Sequence, residues 1–161
     1  MGVVMDLVAG DVREILLAIG VEDWEGLRDP GRFVAHLPLG GRMDPGWLDL
    51  LARAARDVTG GDSPGPFTDA CCPLEGRRLT RLETSVDRTV ERVDPHWIED
   101  MAILSDRSLD HVAARWIELI DCEECEVEPD DKPMIREVAG DVVGFCRKAR
   151  TAEDVLLAWT I

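Results

Sequence analysis

The sequence predicts an α+β fold: a single small domain over residues 1–161, with a small mixed or antiparallel sheet that includes the N- and C-terminal strands and is covered by about five helices. Three observations predict it. The chain closes on Val155-Leu156-Leu157-Ala158-Trp159-Thr160-Ile161, which is too apolar to have a wet face and reads as an inner strand. Near the start, Gly2 to Val8 is apolar and β-branched, as a strand requires. Between them lie apolar stripes at helical spacing, punctuated by Gly and Pro. With 161 residues, 45% of them hydrophobic, the chain can bury a sizeable core.

Each element has a local reason. A helix is expected from Asp11 to Ile19, with Val12, Ile15, Leu16 and Ile19 on one face and Gly20 as the stop. Residues 21–31 are acidic and turn-rich, with Trp24 and Leu27 folding back onto the core. Arg32 to Leu39 reads as another strand, closed by Pro38 and Gly40-Gly41. Asp44-Pro45 starts a helix, an acidic cap followed by proline at the first helical position. That helix runs to Val58, burying Trp47, Leu48, Leu51, Ala55 and Val58, and Gly60-Gly61 ends it.

Residues 59–76, rich in Gly and Pro and containing Cys71-Cys72, read as a long loop. Thr80 and Glu83 have capping-box spacing, and Leu79, Leu82, Val86, Val90 and Val93 continue a helical stripe. Asp94-Pro95 opens a short helix carrying Trp97, Ile98 and Met101. Ser108 is read as the cap of the next, where Leu109, Val112, Ala113, Trp116, Ile117 and Ile120 give the cleanest periodicity in the chain. The last helix runs from Met134 to about Arg150. Its stripe is Ile135, Val138, Ala139, Val142, Cys146 and Ala149, and Arg147, Lys148 and Arg150 lie in the closing turn, where the helix dipole favours cations.

Charge and composition narrow the function classes. The net charge of −15 argues against sequence-independent nucleic-acid binding, which depends on Lys and Arg neutralising phosphates, and against anionic membrane surfaces. It favours a basic partner. The chain has no Asn, Gln or Tyr, and sixteen arginines against two lysines, a bias typical of a high-GC bacterial genome. No segment has the pattern of a signal peptide or a membrane-spanning helix. Five cysteines, an odd number, suit reduced thiols in the cytoplasm better than a disulfide framework.

Few motifs carry chemistry. Gly61-Asp62-Ser63-Pro64-Gly65 matches G-x-S-x-G, but Pro64 has no N–H for an oxyanion hole and a helix, not a strand, precedes the serine. Cys122-Glu123-Glu124-Cys125 is a C-x-x-C at the end of a helix. Both the helix end and the seven acids from Asp121 to Asp131 oppose a thiolate, the wrong field for a redox enzyme's cysteine. The same field suits a dication, so zinc held by Cys122 and Cys125, with Cys71, Cys72 or His96 completing the set, is one alternative. The acidic run lacks the glycine and the register of a calcium loop. His36, His96 and His111 are too scattered to form a ligand set, and His96 and His111 read as surface residues.

The opening strand at Met1-Gly2 with a helix at Asp11, the segment His36-Leu37-Pro38-Leu39-Gly40, and the closing Phe145-Cys146-Arg147-Lys148-Ala149 with Val155-Leu156-Leu157-Ala158-Trp159 resemble the YfbM-like family of small, uncharacterised bacterial proteins. The resemblance implies a small α+β fold and no particular activity.

The sequence favours a non-enzymatic, macromolecule-binding protein with an acidic face formed by Asp121, Glu123, Glu124, Glu126, Glu128, Asp130 and Asp131, and a basic protein as its partner. An immunity-type protein that neutralises a basic toxin is one case by analogy. The alternatives are the zinc protein and a small-ligand-binding enzyme with a cleft at the 59–76 loop.

Overall fold

The computed structural model describes residues 4–40, 43, 45–61, 64–74 and 88–160. The fold is α+β, and the chain divides into two compact units. The first takes in Met1–Met43, Cys71–Pro95 and Lys148–Ile161, and the second Asp44–Ala70 and His96–Arg147.

The first unit is built on the sheet. Its strands are β1 (Val4–Gly10), β2 (Ala35–Pro38), β3 (Cys71–Pro73), β4 (Arg88–Val93) and β5 (Asp154–Thr160), in the order β2-β1-β5-β4-β3 with every neighbouring pair antiparallel. The expected pairing of the two terminal strands is present: β1 and β5 run side by side from Val4 opposite Thr160 to Gly10 opposite Asp154. β5 lies at the centre, which explains its unbroken apolar run, since a central strand has both faces to cover. Val8, Val90, Leu156 and Ala158 project from one face into a core closed by Ile15, Leu16 and Ile19 of α1 (Val12–Gly20) together with Leu27 and Phe33. Asp11 caps α1 by accepting from the backbone N–H groups of Arg13 and Glu14, at 2.9 and 3.1 Å. Trp24 and Leu27 fold back onto this core as expected.

The second unit is helical: α2 (Pro45–Thr59), α3 (Phe67–Ala70), nearly all of α4 (Pro95–Ala102), α5 (Asp106–Glu123) and most of α6 (Lys132–Ala149). α2 packs on α5, and the Trp116 indole N–H donates to the Trp47 carbonyl at 2.8 Å. Phe67 meets Trp97 edge to face, with ring centroids 4.7 Å apart. Gly60 has φ +66°, a left-handed conformation that suits glycine, and it ends α2 where the sequence places the stop.

Three expectations are corrected. Cys71 and Cys72 are not in a loop; they pair with Val93 and Arg92 as an edge strand, a long-range contact that no local signal announces. Val90 and Val93 belong to β4, not to a helix: Val90 pairs with Ala158 of β5 and Val93 with Cys71 of β3, and these long-range partners decide the form. The remainder of that expected helix, including Thr80 and Glu83, lies outside the described residues. α5 begins one turn early, because Ser105 is extended and its hydroxyl accepts from the Ser108 N–H at 3.1 Å. The stripe starts only at Leu109, so periodicity alone missed that polar first turn.

Candidate acidic docking surface

The acidic segment joins α5 to α6 within the second unit. The Ile120 carbonyl accepts from both Glu124 and Cys125 N–H, at 3.0 and 3.1 Å, which extends the last turn of α5. The Asp121 carboxylate then accepts from the Val127 N–H at 2.8 Å, and Val127 buries its side chain to 7% exposure. One apolar anchor and one side-chain clasp therefore hold the segment. A further turn, with Asp131 N–H donating to the Glu128 carbonyl, leads into α6.

This arrangement turns the carboxylates outward. Every residue from Asp121 to Asp131 except Val127 is exposed. Glu123 pairs with Arg53 of α2. Among the described residues, Glu124, Glu126, Glu128, Asp130 and Asp131 have no ion-pair partner. Like charges so close repel one another, and a cationic partner relieves that repulsion.

The thiols and histidines are placed as follows. Cys122 and Cys125 are exposed in the acidic segment, whereas Cys72 is exposed and Cys71 half-buried on β3 of the first unit. His96 is exposed in the first turn of α4. Among the described residues, no three His, Cys, Asp or Glu side chains form a group able to hold a metal ion. Cys146 is buried in α6, and desolvation pushes its thiol up to about 12 from an ordinary value of 9.0.

Thr59 and Gly61, at the start of the expected 59–76 loop, line an open cleft of about 330 Å³. Its other walls are Asp100 and Ile103 with Leu104, Ser105 and Ser108, all from the second unit and none from the sheet. The hydroxyls of Ser105 and Ser108 bond to each other at 2.9 Å, and among the described residues no histidine lines the cleft to activate them.

The sequence reading missed one pair. Asp6 of β1 and His36 of β2 bond at 2.8 Å from Oδ1 to Nε2, with side chains 9% and 6% exposed. Val8 stands opposite His36 and Asp6 opposite Pro38, so the two side chains are diagonal neighbours on one sheet face. The available signal was Asp6 itself: an acid inside a strand of buried residues needs a partner. The pair is too enclosed to meet a substrate.

Two side chains elsewhere show how local charge is managed. The Gly26 N–H and the Arg32 guanidinium both donate to Asp23, holding its carboxyl below the usual range. Arg147 of α6 donates to the Ala102 and Leu104 carbonyls and to Asp106, tying down the connection between α4 and α5. The sequence suggests only a dipole role for Arg147; the contacts it makes are tertiary.

No family model, curated protein or solved structure matches the chain.

Proposed function

We propose that this is a non-enzymatic binding protein that docks a basic protein through the acidic segment between α5 and α6. The supporting observation is the clasped segment with five exposed carboxylates that have no ion-pair partner among the described residues. A mobile acidic tail would lose conformational entropy on binding, whereas a segment already held by Val127 and the Asp121 clasp loses less. The net charge of −15 adds long-range attraction that accelerates encounter with a cation-rich surface.

The test uses poly-lysine as the probe, with affinity measured by calorimetry across a salt series. Binding should weaken steadily as salt rises, because exposed charges are screened. Reversing Glu124, Glu126 and Glu128 to lysine should reduce affinity at least about tenfold, the equivalent of about 1.4 kcal/mol. These three positions avoid the Glu123–Arg53 pair, so the reversal leaves α2 undisturbed. Equal affinity for the parent and reversed proteins would remove this segment as the docking surface.

A further inference from the structure

We infer that Cys122 and Cys125 form a reversible disulfide that controls the acidic segment. The inference deepens the docking proposal, and its consequence for binding rests on that proposal. Both thiols are free and exposed. Cys122 lies in the last turn of α5 and Cys125 just past its end, where the Glu124 and Cys125 N–H groups both bond back to the Ile120 carbonyl and keep the chain turning. In a regular helical turn residues three apart have Cα atoms about 5 Å apart, inside the window of about 4.4–6.8 Å that a disulfide accepts. Their Cβ atoms, about 5–6 Å apart on a helix, must approach to about 3.8 Å. Closure therefore tightens the turn around Ile120.

The Asp121 clasp to Val127 encloses both cysteines, so it feels this tightening directly. Drawing Cys122 towards Cys125 displaces Asp121 beside it and weakens the bond to the Val127 N–H. Glu124 and Glu126 then leave the positions they hold in the dithiol form.

The oxidant is a low-molecular-weight disulfide such as oxidised glutathione. One cysteine thiolate attacks it, forming a mixed disulfide and expelling one glutathione thiolate. The second cysteine attacks the protein sulfur of that mixed disulfide and expels the other glutathione. The protein loses two electrons and two protons, and two glutathione thiols carry them away.

The experiment equilibrates the full chain in reduced and oxidised glutathione, maps cross-links by mass spectrometry, and follows hydrogen exchange at the Val127 amide. The expected result is a Cys122–Cys125 cross-link, with Val127 exchanging about tenfold faster in the oxidised form, the equivalent of one lost hydrogen bond. Cys122→Ser should carry glutathione on Cys125 and form no cross-link there. Glutathione on both cysteines without a cross-link, or a cross-link with unchanged Val127 exchange, would overturn the inference. Poly-lysine affinity, measured on both forms, should differ at least about threefold. A cross-link with faster Val127 exchange in a protein that binds no poly-lysine in either form would uphold the disulfide and count against the docking proposal alone.

Discussion

Replacing Asp6 with alanine should destabilise the protein by about 3–5 kcal/mol, the combined cost of an orphaned buried polar group and the void left by truncation. The magnitude follows from the geometry. The Asp6 and His36 side chains are 9% and 6% exposed and meet at 2.8 Å, so water reaches neither when its partner is lost. An orphaned buried group costs about 1–3 kcal/mol, and truncation leaves a void in addition. Asp6→Asn keeps the shape and an accepting oxygen, so it should cost far less than Asp6→Ala. Asp6→Leu combined with His36→Leu removes both polar groups and should recover much of the loss. Urea unfolding of the parent, Asp6→Leu, His36→Leu and the double variant as a double-mutant cycle, comparing midpoints at constant slope, gives the coupling energy. A cost for Asp6→Ala below about 0.5 kcal/mol, or strict additivity, would refute the claim that these groups depend on each other.

Three further outcomes are expected. Trp116→Phe should lower the melting temperature more than Trp97→Phe, because Trp116 loses its bond to the Trp47 carbonyl, worth about 1 kcal/mol, whereas the buried Trp97 N–H has no partner among the described residues. Arg147→Lys should recover only part of the loss caused by Arg147→Ala in chemical unfolding, because an ammonium cannot span Ala102, Leu104 and Asp106 as the guanidinium fork does. Cys146 should resist a thiol reagent until the chain unfolds, while Cys72, Cys122 and Cys125 react in the native state. Its raised value also has a sign: below pH 9.0 its contribution is fully present. Between that and about 12 only the unfolded thiol ionises, so stability falls as pH rises, by up to about 1.4 kcal/mol per pH unit. Cys146→Ala should flatten that slope in alkaline unfolding curves.

Elements with a dense local code were legible. Asp11 and Gly60 mark their helix ends by side-chain hydrogen bonding and by left-handed backbone freedom, both properties of a few adjacent residues. The stripes of α5 and α6 declare a buried face through spacing alone, and Val112, Trp116, Ile135 and Val142 lie on it. The outward acids between them were equally legible, since a run of seven carboxylates is too costly to desolvate together.

What the chain alone could not reveal depends on partners distant in sequence. Cys71-Cys72 became a strand because Val93 and Arg92 lie alongside, and Val90 left its apparent helix for β5. His36 looked isolated because thirty residues separate it from Asp6, and only the register of β1 against β2 makes them neighbours. Sequence by itself determined the fold class, the terminal strands, most helices and the acidic segment, because turn chemistry and hydrophobic period act over a few residues. Tertiary structure decided strand order, the buried pair and the Asp121–Val127 clasp, because each is a contact whose partner is chosen by the fold and not by its neighbours in the chain.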